Sequence, residues 1–240
     1  MASAYGAPLE RVRAARRSSG RVLLEGIHAL KHARRFGADI EVVLTPDRTA
    51  ATRLLEDLAP DVTLPDVTAE VDHATWEAAT LGRELPSPCL AVARRPIVSA
   101  TDVLSAAGRI VVLEAPRHLG NLGAAVRVAA AASAGGVLVL GEADPWHPTA
   151  VRAAAGLQFA LPVARADALP VIDRAVVALD AGGDPSGRVP PDAIVLFGTE
   201  RGGLTPALRS RAGATIAIPM RAGVSSLNLA TAVAATLYGR

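Results

Sequence analysis

The chain has 240 residues, of which 50% are hydrophobic and only 3% are aromatic. This length allows one long domain or a small domain joined to a larger one, and the scarcity of aromatic side chains argues against single-strand binding by base stacking. The formal net charge of +2 conceals basic ends around an acidic middle, a layout compatible with a polyanionic partner or simply with solvated charged faces.

The N-terminal third predicts a compact α/β unit. Apolar segments at 21–25 (RVLLE) and 41–44 (EVVL) are typical of strands, and the apolar spacing between them predicts a helix that ends at Gly37. A second helix is expected over 49–58. The remaining predicted elements are a brief VTL segment, a helix around HATWEAATL and a strand over 89–93.

From residue 109 onward, the sequence predicts buried strands that alternate with helices. The segments RIVVLEA, GVLVLG, AVVALDA, AIVLFG and TIAIPM are continuous apolar runs, each followed by a Gly or Pro loop and a helical stretch. This order indicates an α/β fold with a parallel sheet, whose ligands bind beyond the carboxyl ends of the strands. The predicted organisation is a small domain over 1–94, a linker over 95–108 and a larger domain over 109–240.

Several classes of protein are disfavoured by composition. Cys89 is the only cysteine, so neither an internal disulfide nor a cysteine metal site is expected, and a cytoplasmic location is predicted. The first twenty residues lack an apolar segment and no run of about eighteen apolar residues occurs, so no signal peptide or membrane helix is expected. The histidines share no metal-binding spacing, so no metal is expected. Lys31 is the only lysine, which reflects either compositional bias or guanidinium groups used for phosphate recognition.

The first of three polar loops lies over 116–129 and follows the strand RIVVLEA. Asn121 occupies the predicted N-cap of the next helix, and Arg127 falls inside that helix among Ala and Val residues. A guanidinium in such surroundings needs an anionic or carbonyl partner. That partner is either a ligand or an internal carboxylate such as Glu200.

The second loop (197–208, FGTERGGLTPAL) and the third (218–239, beginning IPMRAGVSSLN) also follow predicted strands. In the second, three glycines surround Glu200 and either let the backbone approach a ligand or form a tight turn, and Thr205 and Pro206 begin a helix. In the third, Ser225 or Ser226 is expected to cap the last helix, with Asn228 in its first turn.

In this order, NLGAAVR, FGTERGGL and IPM with SLN resemble the three motifs of the SpoU (TrmH) family of RNA ribose 2′-O-methyltransferases. The segment DPWHPTAVRAAAG is similar to the family's segment after the second strand. The resemblance covers about residues 109–239. It implies a parallel sheet with a deep trefoil knot (the SPOUT fold), S-adenosyl-L-methionine bound in the knot, and a homodimer whose active site uses both chains.

The resemblance also implies roles for individual residues. The residues implied in binding the methyl donor are Gly198, Thr199, Ile218, Met220 and Leu227. The implied catalytic and ribose-orienting residues are Asn121, Arg127, Glu200, Ser226 and Asn228. Arginine is a poor base, so the hypothesis for Arg127 is that its guanidinium stabilises the developing alkoxide. The sequence departs from the family pattern with His118-Leu119-Gly120 in place of an Asp-Pro pair and with Ala154 in place of a Ser.

The function implied by the resemblance is methylation of a ribose 2′-hydroxyl in structured RNA. 23S rRNA is the expected substrate, because the first ninety residues resemble a substrate-binding α/β domain related to ribosomal proteins. A tRNA methyltransferase and a noncatalytic RNA-binding module are the alternatives. A nicotinamide-dependent dehydrogenase is disfavoured because the first strand-to-helix turn of the larger domain lacks G-x-G-x-x-G.

Overall fold

The computed structural model describes residues 6–199 and 202–239, which form two units. The N-terminal unit contains the described residues up to Ile97 together with Trp146–Ala160. The C-terminal unit contains Val98–Pro145 and the described residues from Leu161 onward. This division differs from the predicted one, because a segment from the middle of the chain packs into the N-terminal unit. Helices and strands are numbered along the whole chain.

The N-terminal unit is built on a mixed sheet. Its strands are β1 (Arg21–Glu25), β2 (Ile40–Thr45), β3 (Thr68–Glu70) and β4 (Leu90–Arg94). In the order β1-β4-β2-β3, β4 is antiparallel to both β1 and β2, while β2 and β3 are parallel. The helices are α1 (Gly6–Ala15), α2 (Ile27–Arg35), α3 (Arg48–Leu58) and α4 (His73–Thr80).

Local sequence sets the helix ends of this unit. The carboxylate of Asp47 accepts a hydrogen bond from the Ala50 amide at 2.8 Å and caps α3. Asp72 caps α4 in the same way, through the Thr75 amide at 2.7 Å. Both carboxylates satisfy an amide that has no partner within its helix. The predicted stop after α2 is confirmed, with Gly37 at a φ of 75° that favours glycine.

Two N-terminal elements differ from the prediction. The VTL segment at 62–64 forms no strand, and the strand beside β2 is instead β3. Val62 is buried nevertheless, so its apolar character reflects packing rather than strand pairing. Helix α1 was not predicted, because its buried residues, Val12 and Ala15, are too few to show a clear helical period.

The C-terminal unit is an α/β fold, and every strand pair in its described part is parallel, which confirms the predicted fold class. Its strands are β5 (Ile110–Glu114), β6 (Gly136–Leu140), β7 (Val163–Ala166), β8 (Val176–Asp184), β9 (Ile194–Phe197) and β10 (Ala214–Ile216), in the order β10-β8-β9-β5-β6-β7. Its helices are α5 (Ala100–Ser105), α6 (Leu119–Ala131), α8 (Pro206–Arg209) and α9 (Leu229–Tyr238). Within the described residues, no helix is long and apolar enough to cross a membrane.

The predicted linker (95–108) contains helix α5 and belongs largely to the C-terminal unit. The Ser99 hydroxyl accepts a hydrogen bond from the Asp102 amide at 3.1 Å, and the Asp102 carboxylate accepts one from the Ser99 amide at 2.7 Å. This reciprocal pair is a capping box. Val103 and Leu104 are buried in the core of the unit. The prediction of a linker was therefore wrong here, because so short a helix has too few periodic positions to be recognised.

The segment 146–160 leaves the C-terminal unit and packs into the N-terminal one. Its elements are α7 (Pro148–Ala153) and a 3₁₀ helix (Leu157–Ala160). At Gly156, whose φ is 76°, an added Cβ would lie 2.5 Å from the carbonyl oxygen of Ala29, so the backbone passes directly against α2. Trp146 and Phe159 form an edge-to-face pair with 5.1 Å between ring centroids.

Candidate functional site

A cavity of about 460 Å³ opens in the C-terminal unit. It lies beside the later part of β8, at the end of β9 and at the start of α9, where ligands bind in open α/β sheets. The residues that line it are Leu179, Asp180, Ala181, Phe197, Gly198, Thr199, Gly203, Ile218, Met220, Ser225, Ser226, Leu227, Leu229 and Ala232. Both the second and the third loop therefore contribute to this cavity.

The second loop closes on itself beside the cavity. Thr199 and Gly203 exchange two backbone hydrogen bonds of 3.0 and 3.1 Å, and the Gly202 amide donates to the Thr199 hydroxyl at 2.9 Å. Gly203 has a φ of 64°, which favours glycine. At Gly198, an added Cβ would overlap backbone atoms of Gly203 and Leu204. The glycines therefore form a tight turn whose backbone lies at the cavity wall.

Glu114, the last residue of β5, binds the residue that begins α8 at the end of the second loop. Its carboxylate accepts hydrogen bonds from the amide and the hydroxyl of Thr205, at 2.8 and 2.6 Å. Thr205 also caps α8 by accepting from the Leu208 amide, with Pro206 at the first helical position, as the sequence predicts. Sequence reasoning did not single out Glu114, because its partner lies 91 positions away.

The third loop leads into α9, and its residues Ser225, Ser226 and Leu227 line the cavity. The N-cap of α9 is Asn228, whose side-chain oxygen accepts a hydrogen bond from the Ala230 amide at 2.9 Å. The prediction that a serine caps this helix was wrong. Because Asn228 takes that role, both serines are placed at the cavity instead.

Asn121 and Asn228 join the first loop to the third. The Asn228 side-chain amide donates to Oδ1 of Asn121 at 3.0 Å, and α6 packs against α9. Helix α6 begins earlier than predicted, with His118 at its N-cap and Asn121 in its first turn. The His118 side chain makes no capping hydrogen bond to a described residue, at the position where the sequence departs from the family pattern.

Arg127 lies on the exposed side of α6 and is not among the described residues that line the cavity. No hydrogen bond or ion pair joins it to another residue in 6–199 or 202–239. The guanidinium is therefore exposed, and the internal ion pair with Glu200 stays a prediction. Glu200, the predicted alternative partner and a predicted site residue, lies outside the described residues.

Asp180 is a cavity residue that sequence reasoning missed. It lies in β8, and its carboxylate accepts hydrogen bonds from Arg209 at 2.5 Å and from the Gly182 amide at 3.0 Å. It supplies the one carboxylate among the described lining residues. The available signal was a charged residue within the otherwise apolar segment AVVALDA.

The cavity combines apolar side chains with hydroxyl groups, backbone groups and one carboxylate, which suits an organic ligand with apolar and polar parts. Among the described residues, no group of His, Cys, Asp and Glu side chains could hold a metal ion. The only cysteine, Cys89, is buried in the N-terminal unit, and burial raises its pKa to about 12. A thiol in that state is a poor nucleophile.

Comparison with known proteins points to one family. A sequence model of the SpoU rRNA methylase family matches residues 108–238, a range that contains all three loops up to the end of α9. The structure is also similar to that of an AdoMet-bound rRNA methyltransferase from Sinorhizobium meliloti, with a TM-score of 0.75 and 26% identity, covering 99% of this chain and 95% of that chain.

Two relatives from Streptomyces are similar in sequence. The 23S rRNA (adenosine(1067)-2′-O)-methyltransferase of Streptomyces azureus is 28% identical over 231 residues, which cover 91% of this chain and 85% of the relative. The 23S rRNA (uridine(2479)-2′-O)-methyltransferase of Streptomyces viridochromogenes is 34% identical over 144 residues, which cover 53% of this chain. That second match spans 50% of the relative's own length.

Proposed function

Because the chain belongs to the SpoU rRNA methylase family, we propose that it transfers a methyl group from S-adenosyl-L-methionine (AdoMet) to a ribose 2′-hydroxyl of 23S rRNA. Both Streptomyces relatives are named as 23S rRNA 2′-O-methyltransferases, and the S. meliloti structure is named as AdoMet-bound. The observation that carries the proposal is the cavity that residues of the second and third loops line together.

The cavity fits AdoMet in size and in chemistry. Its volume of about 460 Å³ lies within the range of roughly 300–1,000 Å³ typical of small-molecule sites. All the residues that the family resemblance assigns to the methyl donor line it, namely Gly198, Thr199, Ile218, Met220 and Leu227. When bound, AdoMet supplies an electrophilic sulfonium methyl group, so the protein's residues need only align the acceptor ribose and handle its hydroxyl proton.

Asn121, Asn228 and Ser226 are the residues proposed to orient the ribose. The two asparagine side chains are hydrogen-bonded at 3.0 Å, and Asn228 is further fixed by its bond to the α9 amide. Ser226 places a hydroxyl at the cavity, two residues before Asn228. Polar groups that are already fixed lose little freedom when substrate binds, which favours reaction geometry.

Arg127 is proposed to act in the cavity of a second copy of the chain. It is exposed and does not line its own cavity within the described residues. Its guanidinium stays charged, and therefore it would stabilise a developing alkoxide and contact the adjacent phosphate rather than act as a base. Exposed apolar side chains in the third loop and α9, namely Val224, Leu227 and Tyr238, support a homodimer surface in the same unit.

A complementation assay tests this use of both chains. Arg127→Ala and Ser226→Ala proteins should each lose methyl transfer by at least about a hundredfold. In a mixed dimer, one site then combines Arg127 from one copy with Ser226 from the other, so mixing should restore activity. If Arg127 acts in its own chain's cavity, mixing restores nothing. Arg188→Ala, another exposed arginine of this unit, should remain active as a control.

Methylation of defined RNAs tests the reaction itself. With radiolabelled AdoMet, the protein should methylate a 23S rRNA transcript at one ribose, detected by resistance of the following phosphodiester to alkaline hydrolysis. Methylation of tRNA alone would favour the tRNA alternative. A protein that binds no AdoMet by isothermal titration calorimetry would instead favour a noncatalytic RNA-binding module.

Three further expectations are part of the proposal. A trefoil knot is supported by the strand order, which places β9 between β8 and β5, and by the packing of α9 on α6 after the third loop. RNA binding by the N-terminal unit is supported by exposed arginines of that unit, such as Arg17, Arg34 and Arg53. A cytoplasmic location is supported by the rRNA substrate and by the single, buried cysteine.

A further inference from the structure

A buried carboxylate in the N-terminal unit holds two arginines at the protein surface. Glu25, the last residue of β1, has a side chain with 0% exposure. Its Oε1 accepts a hydrogen bond from Nη2 of Arg83 at 2.6 Å, and its Oε2 accepts one from Nη1 of Arg152 at 2.6 Å. Arg83 follows α4 and Arg152 lies on α7, so three distant parts of the chain meet at this carboxylate.

Each arginine has donors left over after this contact. The Arg83 and Arg152 side chains are 46% and 40% exposed. Neither makes a further hydrogen bond to a residue in the described part of the chain. A single arginine can satisfy both oxygens of a carboxylate through two parallel bonds. Here each arginine takes one oxygen, which anchors each guanidinium at Glu25 and leaves its other donors for a further partner.

Arg16 brings a third positive charge to this carboxylate. Its Nη2 donates to the carbonyl oxygen of Ala79 at 2.6 Å. The pKa of Arg16 is lowered, first by burial and then by the positive charge of Arg83, while the Glu25 carboxylate acts in the opposite direction. Two guanidinium groups contact this carboxylate and a third lies within reach of its charge, so the excess positive charge favours the approach of an anion.

We propose that Arg83 and Arg152, positioned by Glu25, form a cradle for a backbone phosphate of the rRNA substrate. This inference rests on the proposed function, since it assigns a contact to the same RNA. Two guanidinium groups anchored at one carboxylate can each donate to a non-bridging oxygen of a phosphodiester. The buried carboxylate supplies the rigid support that such a site requires.

Substitutions at Arg83 test the cradle, because Arg152 remains paired with Glu25 in each. Binding of a full-length 23S rRNA transcript is measured by filter binding at several KCl concentrations. Arg83→Gln should weaken RNA binding about fivefold. The slope of the logarithm of the binding constant against the logarithm of the KCl concentration should become shallower by about one, as expected for the loss of one phosphate contact. Arg83→Lys keeps the charge and an ion pair to Glu25 but loses the planar fork. It should keep the salt dependence and still bind less tightly than wild type.

Arg35→Gln is the matched control. Arg35 is also an arginine of the N-terminal unit, paired with the carboxylate of Asp61 at 2.5 Å, so its replacement removes the same charge from the same unit. An equal loss in this control would mean that only net charge matters and would overturn the cradle. Arg83→Gln protein that binds RNA as wild type does, with unchanged salt dependence, would show a purely structural ion pair.

Separate measurements distinguish a failure of the cradle from a failure of folding and from a failure of the proposed function. AdoMet titration and thermal unfolding report whether each variant is folded at the assay temperature. If the Arg83→Gln protein is unfolded at the assay temperature, the Arg83→Lys protein is used for the test. An RNA affinity of Arg83→Lys equal to that of the wild type would then overturn the cradle. If the wild-type protein methylates no rRNA, the proposed function fails. If it methylates 23S rRNA while the Arg83 variants retain full RNA affinity, only the cradle fails.

Discussion

Gly198 shows how one residue controls the shape of the cavity. It follows β9, lines the cavity, and lies so close to Gly203 and Leu204 that an added Cβ would overlap their backbone. The overlapping atoms belong to the backbone and not to a flexible side chain, so the second loop itself would have to move. The loop's closing hydrogen bonds between Thr199 and Gly203 would then be strained or lost.

Gly198→Ala is therefore expected to weaken AdoMet binding at least about tenfold, or about 1.4 kcal/mol, measured by isothermal titration calorimetry. Gly120→Ala is the matched control, because an added Cβ there meets nothing within 4 Å. That variant should bind AdoMet normally and gain up to about 1 kcal/mol of stability, since alanine is the better helix former. Unchanged affinity in Gly198→Ala would contradict the assigned role of the turn.

Arginines that bind several carbonyl groups explain part of the nearly lysine-free composition. Arg109, Arg174 and Arg211 each donate to two or more backbone carbonyl oxygens. The acceptors belong to Val189, Pro190 and Leu237 for Arg109, to Leu104, Ala106, Gly108 and Asp192 for Arg174, and to Leu169 and Pro170 for Arg211. A planar guanidinium reaches such divergent acceptors, whereas an ammonium group is a compact point donor.

Arg174→Lys should lower the free energy of unfolding by about 2–3 kcal/mol, because partly buried carbonyl groups lose their donors. Urea denaturation followed by circular dichroism measures this change. Arg35→Lys is the control, since Arg35 and its partner Asp61 are exposed and an exposed ion pair tolerates the exchange with little change. Equal stability of Arg174→Lys and wild type would show that the carbonyl contacts contribute nothing.

At the scale of elements, α5 is a short helix whose stability depends on its N-terminal cap and on its buried residues. It has six residues, so it depends on the capping box between Ser99 and Asp102 and on burial of Val103 and Leu104. Hydrogen bonds from the Ser99 hydroxyl and amide hold the pKa of Asp102 below its ordinary value. A carboxyl whose pKa falls on folding stabilises the fold when it is ionised.

The contribution of Asp102 should therefore depend on pH. It is present above the unfolded-state pKa of about 4 and is lost as the pH falls through the lower folded-state pKa. Asp102→Asn should be less stable than wild type near pH 7, and the difference should shrink below about pH 4 in thermal unfolding. Asp57→Asn, on an exposed site of α3, is the control. A difference that stays constant with pH would rule out the ionised cap.

At the scale of the whole molecule, each of the two units consists of two separate segments of the chain. Residues 146–160 are inserted between β6 and β7 yet belong to the N-terminal unit. They supply Arg152 to the buried Glu25 carboxylate and bring Gly156 against Ala29. The N-terminal fold is therefore completed by sequence that lies far along the chain.

A fragment of residues 1–97 should accordingly be less stable than the same fragment with 146–160 attached through a flexible linker. Without Arg152, one oxygen of the buried Glu25 carboxylate loses its hydrogen bond while Arg83 still pairs with the other, a loss of about 1–3 kcal/mol. Thermal unfolding by circular dichroism compares the two. An Arg152→Ala version of the longer fragment separates this ion pair from the remaining packing. Equal melting temperatures would show that the segment adds nothing.

Sequence reasoning found the features that depend on neighbouring residues. The apolar runs that form β5, β6 and β9 are buried strands because their lack of alternation suits a parallel sheet, whereas β8 buries only Val177 and Ala178. The start of α8 at Thr205 and Pro206 follows from capping chemistry. The motifs in the second and third loops indicated residues that line one cavity. Short elements without a clear period, such as α5 and β7, were missed.

The sequence by itself thus determined the fold class and the family, because strand periodicity and motif order are local properties. The tertiary structure decided how distant residues meet. It placed Asp180 in the cavity, joined Asn121 to Asn228, left Arg127 in solvent and brought Arg152 to Glu25 across 127 positions. No local pattern encodes such pairings, since they arise only when packing brings together residues whose separation along the chain carries no signal.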